Sequence, residues 1–186
     1  MFVLKSASPR RKQILSDLGF RFQIQPEHIN ESQYDRESPL SYLERMVHSK
    51  LGTNWEPNNL YLSADTIVVY ENQILHKPTD EEDAIRILKT LSGKVHSVFS
   101  GVAFHHKLGT DFFYEETAIL FHPWSENEIR NYINRCQPYD KAGSYGIQDP
   151  NGPVKEWTGS YTNVMGFPLR SFLARHELWI RSWEES

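Results

Sequence analysis

The segment Leu60–Tyr70, with Ile67, Val68 and Val69 in succession, constrains the fold more than any other stretch of this chain. A near-continuous apolar run of strand length is what a β-strand buried on both faces requires. Helix signals stand on either side of it. Ser38-Pro39 opens a helix with Leu40, Leu43, Val47 and Leu51 as its inner stripe. Thr79 caps another, and the acids Asp80, Glu81, Glu82 and Asp83 in its first turn complement the helix dipole better than they suit a metal. Phe2–Lys5 reads as a short strand that runs into Ser8, an N-cap, and Pro9, a first-turn residue. Ile14, Leu15 and Leu18 give that helix one apolar face, and Gly19 ends it. Phe20–Ile24 alternates like a strand. Glu71-Asn72 makes a hairpin turn into Gln73–Leu75, and Lys107–Gly109 joins two long strands, Val95–His105 and Asp111–Phe121. Ser125 and Glu128 form a capping box for a helix through Arg135, and Pro168 opens a last helix with Leu169, Phe172 and Leu173. Strands and helices in this mixed order predict an α/β fold with a partly antiparallel sheet.

A length of 186 residues predicts one domain spanning 1–186. The lone cysteine, Cys136, excludes an intramolecular disulfide and a cysteine-built zinc site. Lys5 interrupts the apolar stretch Met1–Leu4, short of the about 7–15 apolar residues of a signal peptide. No run approaches the ~20 apolar residues of a membrane helix, so a soluble cytoplasmic protein with no membrane partner is expected. The net charge of −4 argues against a general nucleic-acid binder. Charge is unevenly spread, however. Residues 1–21 hold Lys5, Arg10, Arg11, Lys12 and Arg21 against Asp17 alone, which is either a solvated helix end or a local anion site.

Five segments carry candidate chemistry. Ser6-Ala7-Ser8-Pro9-Arg10-Arg11 joins a hydroxyl, free N–H groups at a helix start and an arginine fork, which suits phosphate, although the glycines of a P-loop are missing. Asp65 in Ser63-Ala64-Asp65-Thr66, just before the apolar run, is a turn aspartate or a carboxylate held rigidly for metal binding or general-base work. Lys77 in His76-Lys77-Pro78 has its direction restricted by the proline. Leu91-Ser92-Gly93 and Ser100-Gly101 permit close backbone approach, and His96 reads as a structural histidine. Asp140–Gln148 crowds small residues around Lys141 and Gln148, whose amide can pair with a base edge.

Taken together and in order, these motifs resemble the Maf family of nucleoside triphosphate pyrophosphatases. The resemblance rests on Ser6–Arg11, Glu31, Tyr42–Lys50, Ala64–Thr66, Lys77-Pro78, Leu91–Gly93, Asp140–Gln148 and Asn163–Pro168. It implies an α/β fold with a long twisted mixed sheet flanked by helices, and two lobes around a nucleotide cleft. It also implies hydrolysis of a small-molecule nucleoside triphosphate to monophosphate and pyrophosphate with a divalent cation, Mg²⁺ or Mn²⁺. Lys141 and Gln148 match the subgroup acting on dTTP and UTP, with modified pyrimidine triphosphates as further substrates. By resemblance the proton acceptor is Asp65, and the metal falls to Glu31 and Asp65. Specificity falls to Arg10, Thr66 and Gln148, and phosphate binding to Arg11, Lys50 and Lys77, with Ser8 and Lys141 beside them. Ser63 and Leu51 depart from the family pattern at uncharged positions. The competing reading is a non-catalytic nucleotide-binding regulator of cell division or septum formation. Trp179 and Trp183 serve either a homodimer interface or a cap on the core.

Overall fold

The computed structural model describes residues 1–175. Its sheet has seven strands: β1 (Phe2–Leu4), β2 (Phe22–Ile24), β3 (Leu60–Tyr70), β4 (Gln73–Leu75), β5 (Val95–His106), β6 (Gly109–Phe121) and β7 (Val154–Thr158). They lie in the order β2-β1-β3-β5-β6-β7, with β4 also on β3. β1 runs parallel to β2 and β3, and the remaining pairs are antiparallel. The helices are α1 (Pro9–Asp17), α2 (Pro39–Leu51), α3 (Glu81–Leu91), α4 (Glu126–Cys136), α5 (Tyr161–Val164) and α6 (Leu169–Leu173). This is the mixed α/β sheet with flanking helices that the sequence predicts.

The apolar run is the central strand, as its composition requires. Period-two alternation splits its first half between two cores. Leu60, Leu62 and Ala64 pack with Ile14, Leu15, Phe167 and Phe172. Tyr61 and Ile67 face the opposite layer, with Val3, Leu43, Met46 and Val47. Farther along β3, Val68 joins a third core that α3 and α4 build with Val98, Phe121 and Tyr145. The two ends of β3 thus belong to different lobes. Close approach of α2 depends on Gly101, where a Cβ would lie 3.0 Å from Leu43 Cγ.

Local signals place most boundaries. Ser8 caps α1 with Pro9 in the first turn, Ser125 and Glu128 form the capping box of α4, and Glu71 and Asn72 adopt positive φ in the β3–β4 turn. Three expectations shift. Asp80 rather than Thr79 caps α3, accepting from Asp83 N–H at 2.8 Å, because a carboxylate one residue nearer the helix serves equally well. Leu18 and Leu40 are exposed, since the first lies past the last turn of α1 and the second in the first turn of α2. Arg11 takes a place on the buried face of α1 instead. Trp179 and Trp183 lie outside the described residues. Among the described residues no helix is long and apolar enough to cross a membrane.

Candidate active site

One edge of β3 is interrupted. β1 pairs with Leu60–Leu62 and β4 with Val68–Tyr70, while β5 covers the other edge from Tyr61 to Val69. Asp65 therefore sits in mid-strand at an opening in the sheet, not ahead of the strand as the sequence suggests. A cavity of about 430 Å³ fills this opening between the lobes. The N-cap and first turn of α1 contribute Ser8, Arg10 and Arg11, and the last turn of α2 contributes Lys50. Asp65 and Thr66 come from β3, Glu31 from the loop after β2 and Lys77 from the segment after β4. Lys141 and Gln148 close the far wall. Every sequence-predicted site residue lines this one cavity.

Lys50 stands at its centre. Its Nζ lies 2.7 Å from Asp65 Oδ1 and 2.8 Å from Glu31 Oε1, so two carboxylates from separate segments converge on one ammonium. Burial opposes ionisation of Glu31, but the hydrogen bond and charge of Lys50, with Lys77 and Arg11 behind it, hold its carboxyl below its ordinary value. Tyr42 OH donates to the Glu31 carbonyl at 2.9 Å, and burial beside Asp65 and Glu31 keeps that phenol protonated. Two carboxylates within reach of one cation give an oxygen donor pair that fits Mg²⁺ or Mn²⁺, which bind through one or two carboxylates plus phosphate and water. Among the described residues no group of three or more His, Cys, Asp or Glu could hold a metal by itself.

Arg11 ties the site together. Its Nε donates to Gly166 O at 2.8 Å, Nη1 to Ser6 Oγ at 3.0 Å and Nη2 to Thr66 Oγ1 at 3.1 Å. Thr66 Oγ1 lies 2.8 Å from Ser100 Oγ, which donates to Asn163 O at 2.7 Å. Asn163, fully buried, also accepts from Ser100 N and donates to Val98 O and Thr117 Oγ1. The Asn163–Gly166 segment is thus fixed to the sheet and to the anion loop.

The wall bearing Gln148 is held from beneath. Asp149 accepts from Tyr132 OH at 2.5 Å and from Gly146 N at 3.0 Å. Tyr145, buried under the loop, is 2.8 Å from His96 Nε2. Gln148 itself is exposed at the rim. Across the mouth, Asp140 joins the lobes, with Arg10 Nη1 at 3.1 Å and Lys141 Nζ at 2.8 Å. Burial opposes charge on Asp140, but Lys141 and Arg10 hold its carboxyl low. Glu27 lines the cavity without belonging to any motif, and Asp140 and Lys5, which the motif and the basic cluster contained without a role, line it too. The lining carries six Lys or Arg side chains against four Asp or Glu, a local positive excess on an acidic protein.

Residues 1–176 match the family model described as Maf-like protein. A dTTP/UTP pyrophosphatase of Leptospira biflexa is 74% identical over 185 residues, covering 100% of this chain and 97% of the relative. Relatives of the same name from Leptospira interrogans and a Geobacillus strain are 50% and 41% identical. They cover 96% and 90% of this chain, and 95% and 91% of their own lengths. With an ordered set of motifs gathered around one cavity and a family match over nearly its whole length, the chain belongs to the Maf family.

Proposed function

We propose that this protein hydrolyses dTTP and UTP, and modified pyrimidine triphosphates, to the monophosphate and pyrophosphate in the cytoplasm. The observation that carries the reading is the convergence of Asp65 and Glu31 on Lys50 inside a cationic cavity. The names of relatives as much as 74% identical support the same substrates.

In this reading, water attacks the α-phosphorus, the bond from that phosphorus to the bridging oxygen of the β-phosphate breaks, and pyrophosphate leaves. Asp65 orients the water and takes up its proton. An aspartate is a weak base, so placement matters more than proton affinity. Charge on the leaving pyrophosphate is the larger demand, and fixed cations meet it without reorganising. Arg10, Lys50 and Lys77 supply them, together with the N–H groups of Arg11 not already committed to the protein. A divalent cation held by Glu31 and Asp65 would neutralise phosphate charge and polarise the reacting centre. Lys50, which holds those carboxylates, would then turn towards phosphate. Gln148 offers an amide to the pyrimidine edge, beside Arg10 and Thr66.

Asp65→Asn keeps the shape and removes the charge. Turnover of dTTP with Mg²⁺, followed as pyrophosphate release, is expected to fall at least about 100-fold. Near-wild-type turnover would sink the assignment. A non-catalytic regulator would bind dTTP and release no pyrophosphate even in the wild type.

A further inference from the structure

Lys5 is a buried ammonium that the mechanism above does not use. It is 6% exposed, lines the cavity, and pairs with Glu27 Oε1 at 2.8 Å. Its Nζ lies 5.7 Å from the Tyr61 ring centroid. It follows directly on β1, and its N–H still reaches Leu62 O at 2.7 Å. Alternation along parallel β1 and β3 puts Val3, Lys5, Tyr61, Ser63 and Asp65 on one sheet face. Val3 and Tyr61 share one core cluster there, and Ser63 Oγ donates to Val47 O of α2. Lys5 therefore shares a face with Asp65 and with Lys50, which approaches from α2.

The register of β3 also orders the cavity. Lys5 stands opposite Ser63, next to the Leu4–Leu62 pair, Asp65 is two residues on, and the Gln148 loop rests on Val68, three residues further. The nearest atom to a Cβ built on Gly143 would be Val68 Cγ2. At roughly 3.3 Å per residue, Lys5 lies about 7 Å along the strand to one side of the carboxylate and the base wall about 10 Å to the other. A nucleotide that crosses the opening in the sheet, with its base at Gln148 on the Val68 face and its α-phosphorus at Asp65, carries its outer phosphates on the face and the side where Lys5 stands.

We propose that Lys5 binds the β- and γ-phosphates and the pyrophosphate they become, with Glu27 as its displaceable counter-ion. This deepens the pyrophosphatase reading and rests on it. Glu27 and Glu31 come from one loop, and each neutralises one lysine, Lys5 and Lys50, in the free protein. Lys5 is buried but Glu27 is 44% exposed, so its carboxylate can return to water when a phosphate takes its place. A phosphate oxygen bearing more charge is the stronger acceptor.

The test compares Lys5→Met, Lys5→Arg and Glu27→Gln. Methionine keeps the apolar stem over Tyr61 and removes the charge. Product inhibition and calorimetric binding are measured with inorganic pyrophosphate and with dTMP. Lys5→Met is expected to weaken pyrophosphate about tenfold and to raise KM for dTTP similarly, with dTMP within about twofold. Lys5→Arg should recover most of the loss. Glu27→Gln, which leaves Lys5 uncompensated, should tighten pyrophosphate about threefold. The proposal is overturned by pyrophosphate binding within twofold of wild type in Lys5→Met, or by equal weakening of dTMP. It is also overturned by weaker pyrophosphate binding in Glu27→Gln, which decides the matter alone if Lys5→Met does not fold. If the wild type releases no pyrophosphate from dTTP, the enzymatic reading fails, while the calorimetric arm still reports on Lys5.

Discussion

Arg11 commits three N–H groups to the protein before any ligand arrives, one each to Gly166, Ser6 and Thr66. A guanidinium has five, so two remain for phosphate. Burial lowers its pKa, with Asp65 opposing that shift. Arg11→Lys removes the planar fork and strands buried acceptors, so it is expected to cost about 3 kcal/mol of stability as well as activity. A urea midpoint giving a loss under about 1 kcal/mol would contradict this. The sequence placed Arg11 at an anion site through the Ser8-Pro9 helix start, but its Gly166 contact joins residues 155 positions apart and leaves no local trace. Lys5 was visible as the charge that interrupts Met1–Leu4 and as one of five basic residues in a candidate anion site, but no motif gave it a role. A cation at the end of a strand, just before a helix N-terminus, was the signal for the role proposed above.

At the scale of elements, the site is a gap. β3 is long enough to be shared by β1 and β4 with Ser63–Ile67 left between them, and that opening admits a ligand to the middle of a sheet. The strand was legible from composition, but the gap was not, because it depends on which neighbours are short. Elements with strong caps or apolar stripes were legible too. β7 and α5 were not: Val154–Thr158 is mostly exposed with one strand partner, and Tyr161–Val164 is a single turn. The loop over the end of β3 has its own requirement. Gly143 has φ +70°, and a Cβ there would meet Val68 Cγ2 at 2.9 Å. Gly143→Ala is expected to lose about 2 kcal/mol and to lower kcat/KM for dTTP as Lys141 and Gln148 shift. Thermal melting and kinetics equal to wild type would show that the loop absorbs the methyl group.

Across the whole molecule, one buried histidine sets an acid limit. His96 is 3% exposed, hydrogen-bonded through Nε2 to Tyr145, with Nδ1 unpartnered, and burial pushes it down to about 4 from an ordinary 6.5. Above pH 6.5 neither native nor unfolded histidine is mostly charged. Between about 6.5 and 4 the unfolded chain takes up a proton that the native one refuses, so stability falls with pH, by about 3 kcal/mol in all. His96→Gln retains a partner for Tyr145 and should flatten urea midpoints across that window. An unchanged slope would assign the loss to other groups. The depressed carboxyls of Glu31 and Asp140 act lower, their ion pairs persisting until pH drops through their native values. The Arg11–Gly166 contact has a consequence for when the enzyme comes into being. The first helix leaves the ribosome early, yet its guanidinium finds its last acceptor only after some 155 further residues have been made. A nascent or truncated chain that stops short of Gly166 therefore carries the anion loop without its anchor, and catalytic competence arrives once that residue is made rather than growing along the chain.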